Sequence, residues 1–125
     1  MSVSADYLTF VLEQLPRSLS VSSRRMFGGV GLYADGWFFA LIDDDVLYFK
    51  VDDTNRPDFL DRSCKAFRPL AHDPDAYSMN YFEVPSEVLE DRDELESWAY
   101  KAVRVAQAAA TKRKPRAKRS PTLGE

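Results

Sequence analysis

Residues 24–52 read RRMFGGVGLYADGWFFALIDDDVLYFKVD, and this stretch holds the densest apolar and glycine signals in a chain otherwise rich in charge. Asp35-Gly36 is the dipeptide best suited to a two-residue turn in which both central residues take positive φ, so strands are expected on either side of it. Pairing outward from that turn sets Ala34 opposite Trp37, Leu32 opposite Phe39 and Val30 opposite Leu41, six side chains on one apolar face. A second reversal, read as a three-residue loop over Asp43, Asp44 and Asp45, leads into VLYFKV and adds Leu47 and Phe49 to that face. The opposite face then carries Gly31, Tyr33, Phe38, Ala40, Ile42, Val46, Tyr48 and Lys50. That face is too aromatic for plain solvent contact. We expect the chain's own helices to cover it, the alternative being an interaction surface.

At 125 residues the chain is one domain, long enough to bury roughly two thirds of its unfolded surface. With 45% hydrophobic and 30% charged residues it reads as globular and soluble. The net charge of -3 hides an asymmetry: residues 112–125 hold six of the 17 basic residues and one of the 20 acids. The body over 1–111 is therefore at -8 and the tail at +5, and an acidic body disfavours the folded part as a general nucleic-acid binder. A single cysteine, Cys64, excludes an internal disulfide and suits a reducing compartment. Asp6 and Glu13 do not fit a signal peptide, and the longest apolar run, residues 37–42, is far short of the roughly 20 residues that span a bilayer. We therefore expect a cytoplasmic protein with no membrane contact.

In chain order, Leu8, Val11, Leu12 and Leu15 repeat at helical spacing behind a capping Ser4, which predicts a helix over 4–15 closed by Pro16. Residues 19–27 alternate loosely and predict the first strand, after which Gly28-Gly29 permits a tight reversal or a close backbone approach. Following the hairpins, 53–63 predicts a short helix capped by Asp53 or Thr54, with Pro57 in its first turn and Phe59 and Leu60 pointing inward. Strands are expected over 65–70 and 79–84, the second ended by Pro85, with a loop between them. Asp91 and Glu94 have the D-x-x-E spacing of a capping box opening a long helix to about Thr111, whose apolar stripe is Leu95, Trp98, Ala99, Ala102, Ala106 and Ala109. The pattern is α+β: an antiparallel sheet of five or six strands flanked by N-terminal, middle and long C-terminal helices.

No motif carries chemistry. Residues 29–34 match the loose dinucleotide pattern G-x-G-x-x-A, but a turn and a strand follow where that pattern needs a helix. Asp43 and Asp45 begin like a calcium loop, yet Tyr48 stands at its glycine position and Thr54 at its closing glutamate. His72 beside Asp73 and Asp75 reads as an ordinary polar loop, and a Cys64–His72 pair has no third group to activate the thiol. We expect no catalytic residues, no cofactor and no metal.

The arrangement of Arg24-Arg25-Met26-Phe27-Gly28-Gly29, continued by Gly31, Leu32 and Tyr33 and then by 47–50, together with 80–85 and the acidic helix start after it, resembles the N-terminal domain of the TfoX/Sxy family of bacterial competence regulators over about residues 5–108. The resemblance implies the order α, three or four antiparallel strands, α, two strands, α, similar to secretion-chaperone-like folds. Full-length TfoX/Sxy proteins promote transcription of competence genes and carry a second, C-terminal helical domain; here a short basic tail stands in its place. We therefore expect a stand-alone, non-enzymatic regulatory module acting through binding, its partner a transcription regulator or its own twin as a homodimer. The candidate family-motif and contact residues are Arg24, Arg25, Met26, Phe27, Gly28, Gly29, Gly31, Tyr33, Phe38, Tyr48 and Lys50. Of these, Arg24 and Arg25 are alternatively paired with the surplus acids, and Lys50 is expected over Phe38 as a cation-π contact.

Two other functions are expected as alternatives. The tail over 112–125, expected to be disordered, carries Lys112, Arg113, Lys114, Arg116, Lys118 and Arg119 and suits non-specific contact with DNA phosphates, each contact releasing counterions. A small-molecule pocket between the sheet and the last helix is the third reading.

Overall fold

The computed structural model describes residues 3–26, 29–67 and 78–118. In chain order these form α1 (Ala5–Gln14), a 3-10 turn (Arg17–Leu19), β1 (Val21–Met26), β2 (Gly29–Ala34), β3 (Trp37–Asp43), β4 (Val46–Lys50), α2 (Arg56–Leu60), β5 (Ala66–Phe67), β6 (Ser78–Glu83), α3 (Ser86–Leu89) and α4 (Arg92–Lys118). The six strands make one sheet in the order β1-β2-β3-β4-β6-β5, every neighbouring pair antiparallel. The expected α+β class and element order are therefore what the chain adopts. Residues 68–77, with His72, lie outside the described residues, as do Phe27, Gly28 and Arg119.

Two differences in the hairpins decide which side chains reach the core. Asp35 and Gly36 form the expected two-residue turn, with φ of 53° and 88°. The second turn is also of two residues, not three: Asp44 and Asp45 take φ of 53° and 57°, leaving Asp43 paired with Val46. Aspartate tolerates this left-handed region because its short polar side chain bonds locally. Here Asp45 Oδ1 accepts the Ser4 N–H at 2.8 Å, tying the turn to the start of α1.

Each tight turn fixes the inward residue beside it. Trp37 lies opposite Ala34, and Ile42 opposite Leu47, all on the core side. Strict alternation cannot satisfy both, because Trp37 and Ile42 are five steps apart and would point to opposite faces. A β-bulge resolves the conflict: Tyr33 pairs with Phe38 but Leu32 pairs with Ala40, so Phe39 is the extra residue. Phe39, Ala40 and Ile42 are all fully buried, and Leu41 turns outward. The expected pairs Leu32–Phe39 and Val30–Leu41, and the placing of Ala40 and Ile42 on the outer face, are thereby corrected.

The helices put their apolar residues into one core with this inner face. Val11 and Leu15 from the α1 end, Phe59 from α2, Val88 and Leu89 from α3, and Leu95, Trp98, Ala99, Ala102 and Ala106 from α4 join Val30, Leu32, Phe39, Phe49 and Phe82. Trp98 meets Phe59 edge-on with ring centroids 4.6 Å apart, and the α4 alanines let that helix lie close on β3 and β4. Ser4 caps α1 as expected, its hydroxyl accepting the Tyr7 N–H at 3.1 Å.

Other ends differ from expectation. Asn55, not Asp53 or Thr54, precedes α2. Its buried side chain accepts the Asp52 N–H at 2.9 Å and donates to the Lys50 carbonyl at 3.1 Å, so the chain leaving β4 is pinned without an unsatisfied polar group. Leu60 is exposed and does not point inward. Asp91 caps α4 by accepting the Asp93 and Glu94 N–H groups, but the box is not reciprocal: the Asp91 N–H goes to the Val88 carbonyl and Glu94 pairs with Arg62. Helix α4 continues to Lys118, past the expected end at Thr111. Leu19 falls in the 3-10 turn, so β1 begins at Val21.

Candidate functional site

With the core gathered on one side of the sheet, the opposite side is what the fold leaves to function. The expectation that helices would cover it is not met: its side chains are absent from the core cluster to which all four helices contribute, and the ring contacts found on it among the described residues are its own. The bulge keeps Phe39, Ala40 and Ile42 of β3 on the core side.

Two rows of side chains cross this outer face. One is set by successive pairings: Arg24 on β1 opposite Gly31 on β2, Gly31 opposite Leu41 on β3, Leu41 opposite Tyr48 on β4, and Tyr48 opposite Glu83 on β6. It spans four strand spacings, about 19 Å. The second is less regular: Ser22 lies opposite Tyr33, Tyr33 opposite Phe38, and Lys50 opposite Tyr81. Tyr33 stacks on Phe38 at 5.1 Å, Phe38 leans to Tyr81 at 5.8 Å, and Tyr48 meets Phe67 edge-on at 4.8 Å. Tyr33, Phe38, Leu41, Tyr48 and Phe67 are all half-buried.

The face has a basic end and an acidic end. Arg24 is exposed at the β1 edge with its guanidinium 5.8 Å from the Tyr33 ring. Toward the other end, burial first and then Glu83, Asp43 and Asp44 push the Tyr48 phenol up from its ordinary value. Those three carboxylates mark the negative pole. Lys50 does not lie over Phe38: because the bulge shifts the register, it sits over the Tyr81 ring at 4.9 Å with its Nζ 3.3 Å from the Tyr81 hydroxyl.

Among the expected contact residues, Arg24, Gly31, Tyr33, Phe38, Tyr48 and Lys50 are brought together on this face. Arg25 is not. It pairs with the buried Val30, so its exposed side chain lies toward the core side of the edge strand. Among the described residues the ion pairs are Arg56–Asp53, Arg62–Glu87, Arg62–Glu94 and Lys101–Asp58, so neither Arg24 nor Arg25 joins one of the surplus acids. Met26 pairs with Gly29 at the strand end. Gly29 has a steric role: a Cβ there would sit 2.6 Å from the Ile42 carbonyl oxygen. Sequence reasoning missed Leu41, Phe67, Tyr81 and Glu83. The alternation within 80–84 carries the signal for the last two, since Phe82 and Val84 are core and Tyr81 and Glu83 must then lie on the other side.

Elsewhere the chemistry is sparse. Burial, reinforced by Glu83 and Glu87, pushes the Cys64 thiol up to about 11, the opposite of an activated nucleophile. No group of three His, Cys, Asp or Glu able to hold a metal ion occurs among the described residues. An open groove of about 280 Å³ lies between the β2–β3 turn and α4, lined in part by Trp37, Tyr100 and Arg104. On α4, Lys112, Arg113, Lys114, Arg116 and Lys118 fall in the last turns. Among the described residues no helix is long and apolar enough to cross a membrane.

The family model of the TfoX N-terminal domain matches residues 13–106 of the 125. The match takes in the whole sheet, including both rows of the outer face. No curated protein matches the chain.

Proposed function

The chain belongs to the TfoX N-terminal domain family, and from that premise we propose that it is a non-enzymatic regulatory module that binds another protein through the outer face of its sheet. The observation that supports this most is the continuous half-buried surface of Tyr33, Phe38, Leu41, Tyr48 and Phe67, with charges of opposite sign at its two ends. Aromatic residues ringed by charge are the composition of protein contact surfaces, where the rings supply buried area and the charges fix register. Family resemblance supports a context of transcriptional control, competence genes included, and the single cysteine supports the cytoplasm.

The test places a photo-crosslinking amino acid at Tyr48 of the full chain in its host, with Arg104 on α4 as the control position. The reading expects a protein adduct from position 48 and none from 104. Adducts only from 104, or from neither, overturn it.

The basic end of α4 supports a second reading, non-specific contact with DNA. Its five basic residues over 112–118 lie within about two helical turns at the C-terminal end of α4. Removal of 112–125 is then expected to abolish a steeply salt-dependent DNA association. An intact chain that ignores DNA at low salt overturns it.

A further inference from the structure

We propose that the occupant of the outer face is a second copy of this chain, held in a two-fold, face-to-face dimer. The inference rests on the reading of that face as a protein-binding surface and names its partner. What carries it is the self-complementarity of the first row. Take a two-fold axis lying in the interface and running along β3, the middle of the five strands in the row. Rotation about it leaves that row on itself with its order reversed.

In the first row this sets Arg24 of one copy against Glu83 of the other, twice, because the contact is isologous. It sets Gly31, which has no side chain, against the Tyr48 ring, and Leu41 against Leu41. Charge meets opposite charge. In the second row Phe38, also on β3, comes to face Phe38. Sheets stacked in this way lie about 10 Å apart and cross at about 30°, and the long Arg24 side chain spans the offset this crossing introduces at the row ends. Among the described residues neither Arg24 nor Glu83 is committed to an ion pair, so both are available to the second copy.

The reversed order is specific to a twin. A different partner could match the same face with any arrangement, whereas this self-pairing sets the two ends of one row against each other, and those ends carry opposite charges at equal distances from its centre. Arg24 and Glu83 each stand two strands from Leu41.

Sedimentation of the full chain at about 0.15 M salt, where the acidic bodies are screened beyond about 8 Å, provides the test. The wild type is expected at twice the chain mass. R24E alone juxtaposes carboxylates and E83R alone juxtaposes guanidiniums, so each is expected to weaken self-association about 100-fold or more. Mixing the two variants is expected to restore the dimer: the R24E copy carries carboxylates at both positions 24 and 83, the E83R copy carries guanidiniums at both, and opposite charges meet at each end. The double variant R24E/E83R is expected to pair with itself. Far-UV circular dichroism checks that each variant is folded. A monomeric wild type overturns the proposal, as do single variants that dimerise like the wild type or folded variants that do not re-associate on mixing. Crosslinking separates this failure from that of the broader reading: an adduct at position 48 to a different protein, with a monomeric wild type, removes the second copy and leaves the protein-binding face.

Discussion

Trp37 and Ile42 point into the same core although an odd number of residue steps separates them along one strand. Two tight turns impose this, and the inserted Phe39 is the only way the strand can obey both. The consequence is a sheet with an all-core face and an aromatic outer face, instead of two mixed ones. Replacing Ile42 by Ala is expected to cost about 2–5 kcal/mol, whereas Leu41→Ala costs no more than about 1 kcal/mol. Urea unfolding of both variants at low protein concentration measures the contrast. Without the bulge the order of the two would be reversed.

Gly29 tests the same junction from the neighbouring strand. Its hypothetical Cβ meets the Ile42 carbonyl oxygen at 2.6 Å, and that oxygen belongs to backbone that cannot swing away. Gly29→Ala is expected to destabilise the chain by about 1–3 kcal/mol, read from the shift in urea midpoint at unchanged slope.

How much of this was legible in the sequence follows from where the information sits. The Asp35-Gly36 turn, the Ser4 cap, Asp91 at the start of α4 and the stripe from Leu95 to Ala106 are local signals, and local signals survive folding. The bulge is not local. It follows only once Asp44-Asp45 is known to be a two-residue turn, and aspartates at positive φ leave a weaker mark than Asp-Gly. A three-residue loop there places Lys50 over Phe38, whereas the observed register sets it over Tyr81, and alternation along β1 sends Arg24 and Arg25 to opposite faces. That every helix packs on one side depends on distant pairings no short window contains. Helix α3, only four residues long, was too short for its periodicity to register.

Cys64 is expected to be slow toward alkylating reagents. With its thiol pushed up to about 11 from 9.0, the thiolate fraction at pH 8 falls about 100-fold. Iodoacetamide labelling of the folded chain, compared with the urea-unfolded chain at the same pH, checks this. Equal rates would contradict the burial that causes the shift.

Alkaline pH is expected to destabilise the fold through Tyr7. Burial raises its phenol to about 12 from 10.0, with Asp45 and Glu83 adding to the rise and a Leu47 backbone hydrogen bond opposing it. A group with a raised folded value holds its proton more tightly in the native state. Its contribution is therefore fully present below about pH 10 and is lost as pH climbs from about 10 to 12. Tyr7→Phe is expected to flatten the fall in stability across that window, measured by urea midpoints at successive pH values. An unchanged slope would show that Tyr7 does not contribute to it.

The central claim is that two copies of the chain meet through the outer face of the sheet, and not through a helical surface. A dilution series of amide NMR spectra on the full chain tests it most directly. Concentration-dependent shifts are expected at Arg24, Gly31, Leu41, Tyr48 and Glu83, with the exposed α4 residues Arg104 and Gln107 unmoved. Shifts clustered on α4, or spectra that do not change with concentration, would contradict the dimer through this face.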